Sequence, residues 1–552
     1  MRRWASIVVA ALGALLAASA TAAPPPRPKL VVAIVVDQFS AALFDQYRGR
    51  FTGGLKLLQA GAVFPNGYQS HAATETCPGH STVLTGRHPA ATGIIANSWY
   101  DADLGRQIYC VEDAAGPVPG RETAPRGPAY MKVTTLGEWM KAADTKSRVF
   151  SVSGKDRAAI TLAGRNADGV FWWDDERGFT TSVPAGTIEA QRLAPVAAFN
   201  ADLARRWAKA PPRWKPAGKQ CAATGSDRFG DLTLTHALPP AGFDGDWRDP
   251  NNLKYLRASP ALDQVTLDLA QRLVDSFALG RGSAPDLLAL SLSATDYVGH
   301  RYGSGGPEMC DQLSHLDQML SLFLARLATL KVPMVVVLTA DHGALDAAER
   351  VAARGVPAAR FTGDIGALSR AVQDELKLDF SPLAGDPQQI TITSFGDRDP
   401  ALSARIVAAT IARLKKLPEV AAVFTKDEVI AAVPRKGTPA DELTLIERFH
   451  ESTDAQRSGD IIVAYRPYLS GGQPKQPGDY VAGHGSPWNY DRRVPMLFWW
   501  PGAAGFEQSL PVETVDIAPT LAALLGVAPA TVDGRCLDLD GGAADSCSPP
   551  PR

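Results

Sequence analysis

Three apolar runs in this chain each lead to an aspartate: Leu30–Val36 to Asp37, Asp286–Leu292 to Asp296, and Met334–Leu338 to Asp341. Histidines accompany them. His342 follows Asp341 directly, and His484 lies in the glycine-flanked segment Ala482-Gly-His-Gly-Ser486. Asp296 and His300 are spaced i and i+4, which puts them on one face of a helix. A lone aspartate after a strand is ordinarily a turn or helix-capping residue. Three that converge repel one another unless a cation sits among them, and the carboxyl edge of an open α/β sheet is where ligands bind. Carboxylate with imidazole is a borderline ligand set, suited to Zn²⁺ more than to Ca²⁺ or Mg²⁺. Five or six such ligands are too many for one tetrahedral zinc and fit a two-metal site. The remaining histidines (His71, His80, His88, His236, His315 and His450) read as surface or packing residues.

The segment Ala73-Thr-Glu-Thr-Cys-Pro-Gly-His-Ser-Thr-Val-Leu-Thr-Gly86 resembles the nucleophile motif of the alkaline phosphatase superfamily, in the branch of type I phosphodiesterases and nucleotide pyrophosphatases. Further motifs follow in family order: Val35-Val-Asp37, Gly93-Ile-Ile-Ala-Asn97-Ser-Trp-Tyr-Asp101, Ser153-Gly-Lys-Asp-Arg157, Asp296-x-x-x-His300, Ala340-Asp-His-Gly343 and Gly483-His-Gly485. Within the superfamily the chain is most similar to periplasmic alkaline phosphatases that use threonine. The resemblance implies Thr76 as nucleophile and two Zn²⁺ ions. One is held by Asp37, Asp341, His342 and Thr76, the other by Asp296, His300 and His484. It also implies that the Asn97 amide donates to a phosphoryl oxygen. Chemistry supports the metals independently, because a threonine hydroxyl is a weak nucleophile and no adjacent general base is evident.

Lys155 and Arg157 bear on which ester is favoured. A phosphate monoester carries one more negative charge than a diester, and two cations reward that charge. Diesterase relatives lack this Lys-x-Arg pair, so the resemblance points to an alkaline phosphatase that hydrolyses small phosphate monoesters of broad range through a phosphothreonine. A phosphodiesterase or nucleotide pyrophosphatase on the same scaffold is the nearest alternative. A non-catalytic binding protein would show a missing nucleophile or a broken ligand set, and neither is visible. Gly154-Lys155 is no P-loop, since Val149 stands where the first glycine belongs and Asp156 replaces Ser/Thr.

The elements that must position these residues follow from pattern. Continuous β-branched runs such as Leu30–Val36 fit strands buried on both faces of a parallel sheet. Other strands are expected at Arg148–Val152, Ile390–Thr393, Asp460–Tyr465 and Val494–Trp500. Helical patterns at Gln264–Leu279, Cys310–Leu330 and Ala401–Leu417 lie between strands. The alternation implies an α/β fold, a doubly wound, mostly parallel sheet with helices on both faces. Two stretches, about 101–252 and 344–483, read as insertions that cap or lid the sheet within a domain spanning 23–552. The tail Gly541–Arg552 reads as disordered.

Residues 1–22 read as a signal peptide: Arg2 and Arg3, an apolar run Ile7–Ala18, then Ala20-Thr21-Ala22. The expected location is the periplasm or outside the cell, with no membrane span after cleavage. Export makes disulfides available to the six cysteines, whose pairing stays open among 15 connectivities. Cys536 and Cys547 are close enough in sequence to bridge. Lys plus Arg (56) nearly balances Asp plus Glu (58), so no basic field exists to hold nucleic acid. Oligomeric state is left open, a monomer being compatible.

Overall fold

A computed structural model describes residues 27–121, 123–182, 190–221, 225–238, 250–393, 395–396, 399–541 and 545–548. The signal-peptide segment lies outside the described residues.

The strands of the central sheet are β1 (Leu30–Val36), β2 (Ala62–Tyr68), β3 (Val149–Ser153), β4 (Gly169–Asp174), β5 (Gly178–Thr180), β6 (Asp286–Leu292), β7 (Met334–Thr339), β8 (Arg493–Trp499), β9 (Phe506–Glu507) and β10 (Val512–Glu513). Their order is β9-β2-β8-β7-β1-β6-β3-β4-β5, with β10 also pairing β2. The middle of the sheet, β7-β1-β6-β3-β4, is parallel, while β8 runs antiparallel to both β7 and β2. Every residue of β1, β6 and β7 is buried. Alternate β1 side chains enter two cores: Leu30, Val32, Ile34 and Val36 on one face, Val31, Ala33 and Val35 on the other. Burial on both faces is why these strands read as unbroken apolar runs.

Helices begin where proline permits. Pro260–Phe277, Pro307–Ala328 and Pro400–Leu414 each carry proline in the first turn, where its missing N–H costs nothing. They start earlier than the apolar periodicity alone suggests.

The stretch 101–252 is not one insertion. β3, β4 and β5 inside it complete one side of the central sheet. The covering pieces are the flanking segments, including a hairpin of Ser98–Asp101 with Arg106–Tyr109. By contrast, 344–483 holds a four-stranded sheet of Leu383–Asp386, Gln389–Ile392, Val420–Thr425 and Ile461–Tyr465. It packs around a core of its own with Val372, Ile406 and Val463. The six cysteines pair as Cys77–Cys110, Cys221–Cys310 and Cys536–Cys547. The last bridge orders part of the tail read as disordered: Ser546 donates its backbone N–H to Asp538 and its side chain caps Leu539 N–H. Among the described residues, no helix is long and apolar enough to cross a membrane.

Candidate active site

The three aspartates sit where their strands end. Asp37 follows β1 and its N–H is held by Leu292 O of β6 at 3.0 Å. Asp341 follows β7, and Asp296 lies in the first turn of helix α3 (Ala294–Tyr302) behind β6. (Helices α1 and α2 are Thr76–Thr85 and Asp156–Ala163.) Asp37, Asp341 and His342 are fully buried and Asp296 nearly so.

Each of the three histidines is turned the same way. His342 Nδ1 bonds Gly343 O at 2.9 Å, His300 Nδ1 bonds Ala482 O at 2.9 Å, and His484 Nδ1 bonds Thr74 O at 2.8 Å. A backbone carbonyl only accepts, so Nδ1 carries the proton and Nε2 keeps its lone pair. Those Nε2 atoms face carboxylates. His300 and His484 lie 3.2 and 3.4 Å from Asp296 Oδ1, and His342 lies 3.5 Å from Asp37 Oδ1. A lone pair aimed at an anion is unfavourable by itself and becomes favourable with a cation between them. Asp37 Oδ1 and His342 Nε2 are buried without hydrogen-bond partners, as expected of atoms that ligate. Asp296, His300 and His484 form one candidate metal group, and Asp37, Asp296 and His342 another. The donor set therefore fits metal ions.

The carboxylate charge is otherwise met by neighbouring cationic side chains, imidazolium included. Burial, then Asp341, push the Asp37 carboxyl up to about 6. Burial works against ionised Asp296, but His300 and Lys155 hold it well below the usual carboxylate range. Asp341 is likewise held low by His342 and His80 against its burial. Burial and neighbouring His342 push His484 down to about 3, leaving its imidazole neutral.

Thr76 opens α1, preceded by Glu75 in extended conformation, and is buried. Its Oγ1 lies 3.4 Å from Lys155 Nζ and 3.3 Å from Arg157 Nη2. Lys155 caps α2, whose position behind β3 delivers both cations to the same edge. Lys155 Nζ also meets Asp37 Oδ2 at 2.7 Å and Asp296 Oδ2 at 2.6 Å, so it joins two candidate ligands to the threonine. Asn97 arrives from the segment before the hairpin. Its Oδ1 accepts from Cys77 N–H at 2.9 Å, which leaves the amide N–H groups to donate elsewhere. Asn97 N–H in turn donates to Glu75 at 2.6 Å. The Cys77–Cys110 bridge and a bond from Cys110 N–H to Asn97 O close this frame. Thus Asp37, Thr76, Asn97, Lys155, Arg157, Asp296, His300, Asp341, His342 and His484 all gather at one edge.

His80, read from sequence as a packing residue, belongs to the site's support. Its Nδ1 sits 2.9 Å from Thr76 O and 3.0 Å from Asp341 Oδ2, and its Nε2 sits 2.8 Å from Ser291 Oγ. With both nitrogens occupied it holds Asp341 rather than offering a free lone pair. The i, i+4 spacing from Thr76 on one helix was the available signal. Gln38 is a second such residue: its N–H donates to Asp341 Oδ1 and its amide to Asp296 Oδ1 at 2.8 Å.

Residues 31–487 match the type I phosphodiesterase / nucleotide pyrophosphatase family. Alkaline phosphatase PhoD of Zymomonas mobilis is 43% identical over 94% of this chain and 89% of its own length. Alkaline phosphatase PhoK of Sphingomonas sp. is 42% identical over 94% of this chain and 93% of its own. The crystal structure of wild-type alkaline phosphatase PafA superposes with a TM-score of 0.81 at 26% identity, covering 94% of this chain and 99% of that one. The chain belongs to the type I phosphodiesterase / nucleotide pyrophosphatase family of the alkaline phosphatase superfamily.

Proposed function

We propose that this protein is an exported alkaline phosphatase. It hydrolyses phosphate monoesters at Thr76 with two Zn²⁺ ions, one at Asp37, Thr76, Asp341 and His342, the other at Asp296, His300 and His484. The observation that carries the reading is the placement of two cations, Lys155 and Arg157, within 3.4 Å of the Thr76 hydroxyl. They supply the charge that a monoester's extra oxygen anion rewards. Bound zinc would supply Lewis-acid charge neutralisation and lower the pKa of a ligating hydroxyl.

The chain's own residues do the rest. Arg157, Lys155 and the Asn97 amide donate to the non-bridging phosphoryl oxygens. The N-terminus of α1 adds its dipole at the same point. Thr76 Oγ1 forms a bond to phosphorus as the ester oxygen leaves with its pair of electrons and takes a proton. Water then displaces Thr76 from the phosphothreonine, releasing inorganic phosphate and restoring the hydroxyl. The six paired cysteines support an oxidising compartment, periplasm or exterior.

Acid quenching during turnover, followed by phosphopeptide mapping, tests the intermediate: phosphate is expected on Thr76 and absent in Thr76→Ala, which should not turn over. Metal analysis of the purified protein, with phosphate release before and after chelation, tests the ions. Phosphate release undiminished in Thr76→Ala defeats the proposal. A phosphodiesterase on the same scaffold is the second reading, favoured by the family membership alone. Comparing kcat/KM for an aryl monoester and its diester separates the two.

A further inference from the structure

Arg157 is anchored differently from its neighbour Lys155. Lys155 Nζ meets two carboxylates, Asp37 and Asp296. The Arg157 guanidinium has no ion pair among the described residues. It donates through Nη2 to Thr76 Oγ1 at 3.3 Å and through Nη1 to Tyr109 Oη at 3.5 Å, and its Nε is buried without a partner. Contacts of that length in an unliganded site tighten once substrate is bound. The carboxylate next to Arg157 in sequence is engaged elsewhere. Asp156 Oδ1 accepts from the Tyr109 hydroxyl at 2.6 Å and from Arg157 backbone N–H, and Asp156 Oδ2 accepts from Arg126 Nε at 2.7 Å. The same Arg126 guanidinium lies over the Tyr109 ring, 4.7 Å from its centroid. Tyr109 therefore gives its proton to Asp156 and turns an oxygen lone pair to Arg157, a division that a phenol permits. Burial, then Asp156, push the Tyr109 hydroxyl above the ordinary tyrosine range, so that proton is retained.

Tyr109 is also tied to Thr76 through the chain. It ends the hairpin strand Arg106–Tyr109, and the next residue, Cys110, is bridged to Cys77, which follows Thr76. The contacts close a ring that runs from Thr76 through Cys77, Cys110, Tyr109 and Arg157 back to the Thr76 hydroxyl. A guanidinium held by a neutral hydroxyl keeps both its direction and its charge for an anion arriving at Thr76. We infer that Tyr109 is a positioning residue that aims Arg157 at the phosphoryl oxygens and, with Arg126, keeps Asp156 from neutralising it, which favours monoesters over diesters. This rests on the monoesterase reading above and adds the residue that sets its charge selectivity.

Tyr109→Phe removes the hydroxyl and keeps the ring beneath Arg126. Its kcat/KM for an aryl phosphate monoester should fall about 3- to 10-fold, the size of one hydrogen bond. Its Ki for inorganic phosphate should rise by a similar factor, while the matching diester loses clearly less and bound metal equals that of the wild type. Arg126→Met, which releases Asp156 Oδ2, should lower the monoester-to-diester ratio in the same direction. In an Arg157→Ala background, Tyr109→Phe should cause no further loss, because its effect passes through the guanidinium. Full monoester activity in Tyr109→Phe, equal losses on both esters, an unchanged ratio in Arg126→Met, or an undiminished loss in the Arg157→Ala background overturns the proposal. If Arg157→Ala alone turns over the monoester as well as the wild type does, it is the monoesterase reading that fails, and the two failures are distinguishable.

Discussion

At the scale of single residues, the site is organised by what each side chain is prevented from doing. Three histidines are denied rotation by backbone carbonyls, so their Nε2 lone pairs converge on carboxylates. Lys155 is bound to Asp37, Asp296 and Thr76 at once, so its loss disturbs the candidate ligands as well as the proposed phosphoryl contacts. Arg157 is the cleaner probe. It meets Thr76 Oγ1 and Tyr109 Oη, and the Tyr109 hydroxyl donates to Asp156 at 2.6 Å. Arg157→Ala should lower kcat/KM for a phosphate monoester about 10- to 100-fold, the range of one charge-assisted hydrogen bond. The matching diester, with one charge fewer, should lose clearly less. Steady-state kinetics on an aryl monoester and diester pair checks this, and equal losses would remove Arg157 from charge recognition.

At the scale of elements, α1 must lie close against the end of β7, and Gly79 is what allows it. A Cβ at Gly79 would overlap the backbone carbonyl of Asp341, which cannot yield without moving that candidate ligand. Gly79→Ala should therefore reduce bound metal and phosphate release together, with destabilisation of about 1–3 kcal/mol from overpacking. Metal analysis beside thermal unfolding checks the pairing, and full metal content with normal turnover would refute it. Much of this arrangement was legible beforehand. β1 and β6 match their runs residue for residue, because strands buried on both faces are built mainly of apolar residues. The placement of the three aspartates follows directly, since each comes shortly after a central strand ends. The stretch 101–252 was harder. Its Gly, Pro and Trp content masks β4 and β5, which are short and carry aromatic rather than β-branched residues. His80 and Gln38 were missed for another reason: their roles depend on Asp341 and Asp296, more than 250 positions away, and no local pattern reports such a contact.

At the scale of the whole molecule, the inserted unit 344–483 is fastened to the central sheet by charge as well as by packing. His88, between α1 and the hairpin, meets Glu451 of the inserted unit at 3.7 Å and Glu513 of β10 at 3.0 Å, with Asp533 at 3.8 Å. Ser70 Oγ completes the cluster, 3.1 Å from His88 Nε2. Burial alone would lower the imidazole's pKa, but Glu451, Glu513 and Asp533 outweigh it and raise His88 from 6.5 to about 10. Burial works against ionised Glu513, but its hydrogen bond to His88 holds it below the usual carboxylate range, so it is ionised across the window and able to hold the imidazolium. A histidine whose folded pKa lies above its unfolded one stabilises the fold fully below the unfolded value and ceases to do so as pH rises through the folded value. The contribution of His88 is thus complete near pH 6.5 and fades toward about pH 10. The melting temperature of the wild type should exceed that of His88→Gln by a margin that narrows steadily across this window. Calorimetric scans of both proteins at several pH values measure it. A margin that stays constant or widens with pH would mean that His88 is neutral in the folded protein and that the inserted unit is held in place without it.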